Sequence, residues 1–362
     1  MTSRIAALER YAAATWTPPF AQPLPSNAEA YAARASRWKV ARRRAMRELN
    51  LALHGQASLQ RTHIDPARHR RLLWIHQGTP QVGDSLMDLA ARVLLAGRVE
   101  RIDLLTEPHL LGLYRSDRVF AHVASSAADL PGDHDLVLLH SISSRSVKDK
   151  LAHFRRLPFA HVQGCYTGPE FNRTLFGFHR LAQLLGLPAG GLDAIARPTM
   201  TASPEEHAAI DRLRIPPGAV GVALGGVRDW RTFSRWVEVL RGLRSTGFAS
   251  PIVLVGADNG LAMRDQVVAA GIGLPLIDRV AQHSLGEVQA LIGCCALALC
   301  ADGGLLHVAH TTDTPVVALF AGEILPAFRV TAANRTTSLH APVRVDDIAP
   351  DAVVQAVSAA LS

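Results

Sequence analysis

The chain has 362 residues, of which 48% are hydrophobic, and a formal net charge of +7 at neutral pH. This length and hydrophobic content are enough to fill two cores of ordinary size, which favours a globular protein. No apolar run approaches the ~18 residues of a membrane-spanning helix, and the N-terminus lacks the apolar region and cleavage site of a signal peptide. We therefore expect a cytoplasmic protein.

The positive charge is concentrated at the N-terminus. Residues 1–71 carry 13 Lys and Arg against four acidic residues, so the rest of the chain is nearly neutral. Within SRWKVARRRAMRELNLALHG, residues 36–55, a predicted helix has an apolar face with four basic residues beside it. The apolar face comprises Trp38, Ala41, Ala45, Leu49 and Leu53, and the basic residues are Lys39, Arg42, Arg43 and Arg47. Three interpretations follow, in this order: packing on the domain surface, docking on an anionic membrane, and nucleic-acid binding, for which no recognised motif is present.

Two series of short apolar runs follow, and helix-like segments separate the runs in each series. The first series is RLLWIH (71–76), ERIDLLT (100–106), HDLVLLH (134–140) and FAHVQGC (159–165). The second is AVGVAL (219–224), SPIVLVG (250–256), LPLID (274–278), CCALALC (294–300) and PVVALFA (315–321). This pattern predicts two doubly wound α/β sheets of parallel strands. Ligands of such sheets bind at the carboxyl ends of the strands, so two facing sheets imply a cleft there.

Other segments carry weaker predictions. The proline-bearing stretch 197–219 is a candidate linker between the sheets, and the proline-rich stretch 16–30 is expected to be extended or poorly ordered. The four cysteines contain no CxxC pair, and three of them fall in a predicted apolar core. We expect reduced thiols rather than disulfides or zinc ligands, and no structural metal.

The first candidate site loop is QGTPQVGDS, which follows the strand at 71–76. Gly78 and Gly83 permit a tight turn, and Asp84 falls where the next helix begins. Asp84 fits two roles: a residue that caps the helix, or a carboxylate at the cleft edge that accepts a proton from a hydroxyl nucleophile.

The second candidate loop, LGGVRDWRTFSRW at residues 224–236, supplies Gly225, Gly226, Arg228 and Arg231. Free backbone N–H groups at a helix start favour an anion, and a guanidinium matches phosphate oxygens. A diphosphate is the predicted ligand, while an exposed arginine in an ordinary loop is the alternative for either side chain.

The third candidate loop joins CCALALC to a helix at LLHVAHTT through Asp302, Gly303 and Gly304. Two glycines let a ligand approach the backbone, and the helix start favours a negatively charged group. Because the Asp302 carboxylate would repel a phosphate, we expect it to accept backbone hydrogen bonds that hold the loop. His307 is then a donor to the anion, although a histidine beside apolar residues is more often part of the core.

Residues 225–361 resemble the donor-binding half of the glycosyltransferase family typified by ADP-heptose:lipopolysaccharide heptosyltransferases, glycosyltransferase family 9 of the GT-B superfamily. The motif DGGLLHVAHTTDTPVVALFAG carries the resemblance, together with the upstream HSLGEVQALIGCCALALC and the terminal VDDIAPDAVVQAV. In the N-terminal half, VGDSLMDLAARVLL is similar to the family's Gly-Asp turn and helix.

The resemblance implies a GT-B fold and an inverting, metal-independent transfer of a sugar from a nucleoside diphosphate, with no cofactor. Asp84 matches the family's general base, and the donor-binding segment includes Asp302, Gly303, Gly304, Leu305 and His307. Asp258 and His283 fall where the family holds the nucleoside, and Arg228 or Arg231 where it has a basic residue. ADP-heptose is the favoured donor, and a lipopolysaccharide or another surface glycan is the favoured acceptor. Peripheral contact with the cytoplasmic membrane is also expected.

The resulting division of the chain has four parts: a basic extension at 1–70, an acceptor domain at 71–204, a donor domain at 205–345 and a C-terminal helix at 346–362. One other function class stays open. Gly303 occupies a position where the family usually has Ser or Thr. This change is compatible with a catalytically inactive protein that binds nucleotide sugars on the same fold.

Overall fold

The structure, a computed structural model, describes residues 2–78 and 81–362, with side chains from residue 5 onward. These residues form thirteen α-helices and eleven β-strands within the described ranges. The helices are α1 (Thr2–Ala13), α2 (Ala28–Arg34), α3 (Arg37–Leu53), α4 (Val82–Asp88), α5 (Leu111–Tyr114), α6 (Ser144–His153), α7 (Arg173–Leu185), α8 (Pro204–Asp211), α9 (Trp236–Ser245), α10 (Leu261–Ala269), α11 (Leu285–Gly293), α12 (Gly304–Ala309) and α13 (Pro350–Leu361). The strands are β1 (Arg71–Ile75), β2 (Arg101–Leu105), β3 (His122–Ala124), β4 (Leu136–Ser141), β5 (Phe159–Gly164), β6 (Val220–Ala223), β7 (Ile252–Gly256), β8 (Leu276–Val280), β9 (Leu297–Ala301), β10 (Val316–Ala321) and β11 (Thr336–Ala341).

The chain divides into two compact units. The first contains residues 2–78, Met87–Ala196 and Ala327–Thr331, and the second contains residues 81–86, Arg197–Pro326 and Ala332–Ser362. The N-terminal helices therefore belong to the first unit and α13 to the second. Helix α4 begins in the second unit and ends in the first. Among the described residues, no helix combines the length and the apolar character needed to cross a bilayer.

Each unit contains one parallel sheet. The order is β3-β2-β1-β4-β5 in the first unit and β11-β10-β9-β6-β7-β8 in the second. The apolar runs of the sequence occupy the central strands, because strands covered on both faces must be apolar throughout. Side chains such as Leu73, Val137, Val222 and Leu299 are fully buried. The doubly wound α/β prediction is confirmed.

Two strands, β3 and β11, were not predicted from the apolar runs, and both are edge strands. The three-residue β3 leaves His122 exposed, and β11 has the polar sequence TTSLHA with only its last residue buried. Neither has the apolar signature of a central strand. Conversely, the helix that the resemblance implies within VGDSLMDLAARVLL ends at Asp88, and a short 3₁₀ helix at Ala90–Leu94 follows it.

Two other expectations need correction, on the order of the stretch 16–30 and on the burial of the cysteines, while the predicted linker gains a helix. The stretch 16–30 is ordered: Trp16 is buried, Ser26 forms an antiparallel bridge with Phe171, and α2 begins at Ala28. The linker stretch 197–219 contains α8. Cys294 is exposed and Cys165 only partly buried, whereas burial raises the pKa of the Cys295 and Cys300 thiols to about 12.

Helix α3 also packs differently from the favoured interpretation. It lies against α1, where Tyr11 donates a hydrogen bond to Glu48 at 2.6 Å and the Arg44 guanidinium lies over the Tyr11 ring. Ala41 and Leu51 are buried, but Trp38, Leu49 and Leu53 are exposed. Most of the apolar face that was expected to pack on the domain therefore points to solvent, and Leu51 instead joins the core of the first unit.

Candidate functional site

The predicted donor residues lie in the second unit, at the carboxyl ends of its parallel strands. In the order β11-β10-β9-β6-β7-β8, the chain runs outward from β6 through β7 to β8, and then outward from β9 through β10 to β11. The order therefore reverses between β6 and β9. Ligands of open α/β sheets bind in the crevice at such a reversal. The loops after β6 and β9 carry Arg228, Arg231 and Asp302 to this place.

A side-chain contact joins these two loops. Arg231 donates a hydrogen bond from its Nη2 to Oδ2 of Asp302 at 2.6 Å, and to the Asp302 carbonyl at 3.3 Å. The Asp302 side chain is almost fully buried, whereas that of Arg231 is one quarter exposed. The Asp302 carboxylate, for which backbone donors were expected, thus accepts a hydrogen bond from the guanidinium of a second loop. The neighbouring Arg228 is exposed, and no ion pair is recorded for it within the described ranges.

Gly225 and Gly226 have a structural reason for lacking a side chain. Gly225 has φ of +91°, and a Cβ there would lie 2.8 Å from Oδ1 of Asn259. A Cβ on Gly226 would lie 2.1 Å from the Thr232 hydroxyl oxygen, and Asn259 donates a hydrogen bond to the Gly226 carbonyl at 3.0 Å. The two glycines therefore allow the loops after β6 and β7 to pack together, whatever ligand they also admit.

The loop after β9 meets the start of α4. His307 on α12 is buried, and a Cβ on Gly83 would lie 2.4 Å from its Cδ2 atom. A Cβ on Gly304 would lie 3.9 Å from Cβ of Val82. These approaches agree with the membership of residues 81–86 in the second unit. Asp84, partly exposed, lies within the first turn of α4 rather than at its cap position.

Asp258 and His283 lie on the other side of β6. Asp258 is exposed in a 3₁₀ turn directly after β7, one strand from β6. His283 lies beyond the edge strand β8, with its Nδ1 3.3 Å from Oε2 of Glu287. Ala281, two residues earlier, has φ of +57°, a conformation that costs a non-glycine residue roughly 1–3 kcal/mol and is typical of functional loops. No direct contact between either residue and the Arg231–Asp302 pair is recorded in the described part of the chain.

A second cluster of polar side chains lies in the first unit, and the sequence analysis missed it. His76 follows β1, His140 lies in β4, and Asp88 ends α4; all three are buried, with ligand atoms within 4.8 Å of one another. The Nε2 atoms of His76 and His140 lie 3.5 Å and 3.2 Å from Oδ2 of Asp88. Both histidines come at the ends of apolar runs, but the adjacency of β1 and β4 in the sheet is not visible in the sequence.

This histidine–aspartate cluster has the composition of a metal site, but its charge is already balanced. Arg173 donates to both carboxylate oxygens of Asp88 at 3.1 Å, and Gln163 donates to Oδ1 at 3.1 Å. Burial alone would raise the pKa of Asp88, but Arg173, with His140 and His76, holds it well below its usual value. Burial lowers the pKa of His76. A divalent ion would add buried positive charge beside Arg173, so we interpret the cluster as a buried ion pair flanked by imidazoles.

Comparisons with known proteins agree with the fold and with the donor half. Residues 205–340 match the profile of Glycosyltransferase family 9 (heptosyltransferase). No curated protein sequence matches the chain.

Several solved structures share the fold. A glycosyl transferase family 9 protein from Veillonella parvula DSM 2008 aligns with a TM-score of 0.68 and 15% identity, over 82% of this chain and 98% of its own. The E. coli ADP-heptose lps heptosyltransferase II aligns with a TM-score of 0.58 and 18% identity, over 80% of this chain and 98% of its own. The E. coli heptosyltransferase WaaC with ADP aligns with a TM-score of 0.56 and 16% identity, over 80% of this chain and 97% of its own. The predicted family resemblance of residues 205–340 and the two-sheet, GT-B type of fold are confirmed.

Proposed function

We propose that this chain, which carries a glycosyltransferase family 9 domain at residues 205–340, is an inverting transferase that uses a nucleoside diphosphate sugar and needs no metal ion. ADP-heptose is the proposed donor, and the proposed acceptor is a hydroxyl of lipopolysaccharide or of another surface glycan. We place the reaction in the cytoplasm, at the inner face of the membrane. The observation that carries the proposal is the convergence of Arg231, Asp302 and His307 with the start of α4 at the carboxyl ends of β6 and β9.

In the proposed reaction, the Asp84 carboxylate takes the proton of the acceptor hydroxyl. The acceptor oxygen forms a bond to the anomeric carbon, and the bond from that carbon to the diphosphate breaks. The nucleoside diphosphate leaves with the electron pair, so the configuration at the anomeric carbon is inverted. Asp84 belongs to the same unit as the proposed donor loops, and the neighbouring Gly83 lies against His307.

The negative charge that grows on the leaving diphosphate needs positive partners, and the two arginines differ in this respect. Arg231 is committed to the buried carboxylate of Asp302, so its charge is largely balanced. Arg228 is exposed three residues earlier in the same loop. We therefore assign the diphosphate to Arg228, with the backbone at Asp302–Gly304 and His307 as further donors, and give Arg231 the role of holding Asp302. Asp258 and His283 are assigned to the nucleoside.

Substitution of the proposed base tests the function. Asp84→Asn keeps the shape of the side chain but removes its basicity, so we expect release of nucleoside diphosphate to fall by roughly 10²- to 10⁴-fold. Donor affinity should change little. The measurement is nucleoside diphosphate release with ADP-heptose and an acceptor extract. Asp129→Asn, an exposed carboxylate of the first unit, is the matched control. Equal turnover by Asp84→Asn and the wild type would exclude the assignment.

The donor assignment has a separate test that does not depend on turnover. A ligand that binds only the native state raises the melting temperature, so shifts with ADP, UDP, GDP and dTDP rank the nucleotides. We expect the largest shift with ADP. Arg228→Gln should weaken ADP binding by roughly 10- to 100-fold, because a charge-assisted hydrogen bond to phosphate is lost. The control Arg212→Gln, which replaces another exposed arginine, should leave ADP binding unchanged. A larger increase in melting temperature with UDP than with ADP would contradict the assignment of ADP as the donor nucleotide. Unchanged ADP affinity in Arg228→Gln would favour Arg231 as the residue that binds the diphosphate.

A further inference from the structure

Helix α3 exposes a row of large apolar side chains. Trp38, Met46, Leu49 and Leu53 have exposed fractions of 64%, 59%, 48% and 74%. At 100° per residue these positions fall within one quadrant of the helix, so they form a continuous strip, here called the α3 stripe. Exposed apolar residues scattered singly are ordinary, but four along one face of one helix mark an interaction surface.

The stripe is presented by a helix that is already fixed on its other side. The opposite face of α3 buries Leu51 in the core of the first unit, and the helix packs on α1 through the pair of Tyr11 and Glu48. Ser36 caps the N-terminus of α3 by accepting a hydrogen bond from the Lys39 N–H. Because packing and capping hold the helix, the α3 stripe is already in place before any partner binds.

Basic residues accompany the stripe. Arg42 lies within it, and the exposed Lys39 and Arg43 lie beside one of its edges. Arg37 and Arg44, which lie on the packed side, pair with Glu9 and Glu48. For Lys39, Arg42 and Arg43 no carboxylate partner is recorded in residues 2–78 and 81–362. Beside the start of the stripe lies a cavity of about 370 Å³ whose lining includes Tyr31, Arg34, Lys39 and Arg43.

We infer that the α3 stripe docks on an anionic lipid bilayer. Trp38, Leu49 and Leu53 enter the boundary between headgroups and acyl chains, and Lys39, Arg42 and Arg43 lie at the level of the lipid phosphates. An amphipathic helix with a Trp- and Leu-bearing face and adjoining basic residues binds in the plane of such an interface, since apolar burial and attraction to anionic headgroups act together. The tryptophan ring is suited to this depth because one end is apolar and its N–H is polar.

Charge and apolarity together favour lipid over the other occupants. A second copy of the chain would bring its own Arg42 and Arg43 against the first, so like charges would oppose the contact. Nucleic acid would neutralise the basic residues but would leave the apolar side chains in water. A bilayer of anionic lipid satisfies both parts of the surface.

Vesicle binding of the full chain tests the inference. We expect the wild type to co-sediment with vesicles of phosphatidylethanolamine and phosphatidylglycerol, and not with vesicles of phosphatidylcholine alone. The variant Lys39→Gln/Arg42→Gln/Arg43→Gln should bind these vesicles roughly 100-fold more weakly. The reason is that each of the three basic residues contributes a similar share of the binding free energy at an anionic surface. The variant Trp38→Ser/Leu49→Ser/Leu53→Ser should bind at least as weakly. In the wild type, vesicles should shift tryptophan fluorescence to shorter wavelength, and Trp38→Phe should lose that shift while still sedimenting.

Matched controls use residues outside α3. Ile195→Ser and Val343→Ser replace other exposed apolar side chains, and Arg118→Gln/Arg155→Gln/Arg156→Gln removes three other exposed charges; all should bind like the wild type. Circular dichroism checks that each variant is folded. Equal binding by the control and α3 variants, or no binding to anionic vesicles, would overturn the inference. So would a dimer in light scattering that the serine variant converts to a monomer. None of these outcomes bears on turnover, so the proposed transferase activity is tested separately.

Discussion

At the scale of single residues, one of the tightest contacts in the candidate site is between Gly83 and His307. The Cβ of any larger residue at 83 would lie 2.4 Å from the imidazole, far inside van der Waals contact. The glycine therefore sets the position of the His307 ring and keeps the start of α4, with Asp84, beside it. A glycine in the sequence VGDS is commonly explained by a turn, but here Gly83 lies inside a helix and its role is close approach.

Gly83→Ala should destabilise the protein by about 1–3 kcal/mol, the usual cost of overpacking a tight interior contact, and should lower turnover because the ring must move. Gly293→Ala is the control, because Gly293 also lies in a helix but has nothing within 4 Å of its Cβ position. It should stabilise slightly, by up to about 1 kcal/mol. Denaturant titration of both variants measures the difference. An unchanged free energy of unfolding in Gly83→Ala would mean that the His307 ring can move aside at no cost.

At the scale of elements, one carboxylate joins the starts of two helices. Glu206 completes the capping box of α8 by accepting from the Ser203 N–H at 2.7 Å, and its other oxygen accepts from the Ser284 hydroxyl at 2.6 Å. Ser284 in turn caps α11, the helix that leads into β9. The loop that carries Asp302 is thus preceded by a helix whose start is tied to α8.

Ser284→Ala should cost more than Ser203→Ala. Each substitution removes a helix cap, at about 1 kcal/mol, but only Ser284→Ala also leaves the Glu206 oxygen without its hydroxyl donor. We expect a destabilisation of about 2 kcal/mol against about 1 kcal/mol, measured by urea unfolding of the two variants. The opposite order would show that the contact between the two helices contributes nothing.

At the scale of the whole molecule, buried histidines make both units sensitive to acid. Burial lowers the pKa of His310, in the second unit, to about 3. Burial and the nearby Arg180 lower that of His161, in the first unit, to about 4. Each stays neutral in the folded state at a pH where the unfolded chain, with a pKa near 6.5, takes up a proton. Their stabilising contribution is therefore complete above about pH 6.5 and declines as the pH falls.

Between about pH 7.5 and about pH 5 each histidine should reduce the free energy of unfolding of its unit by about 2 kcal/mol, at 1.36 kcal/mol per pH unit below 6.5. Urea unfolding at a series of pH values measures this slope. His310→Gln should flatten the slope of the second unit, whereas the exposed His207→Gln should leave it unchanged. A stability that does not vary with pH in this range would contradict the prediction.

The sequence predicted the parts of the molecule whose signal is local. Central strands such as β4 and β10 are recognisable because burial on both faces demands apolar runs, and the DGG motif locates the turn after β9. The edge strands β3 and β11 were missed because half of each faces polar surroundings. The pairing of Arg231 with Asp302 and the cluster around Asp88 depend on which strands are neighbours. The exposed face of α3 was missed because an amphipathic pattern does not say which side meets the protein.

The path of the chain limits how this protein can be cut or recombined. Residues 81–86 precede most of the first unit yet belong to the second, and Ala327–Thr331 return to the first, where the Ala327 and Val330 carbonyls accept hydrogen bonds from Asn172. A fragment of residues 197–362 would lose the segment 81–86, which lies against His307. A fragment that ends at residue 196 would lose the two carbonyls that accept hydrogen bonds from the Asn172 amide. Hybrid proteins made by a single junction near residue 197 would inherit both defects, so exchange of the second unit with that of a relative requires transplanting 81–86 along with the later sequence.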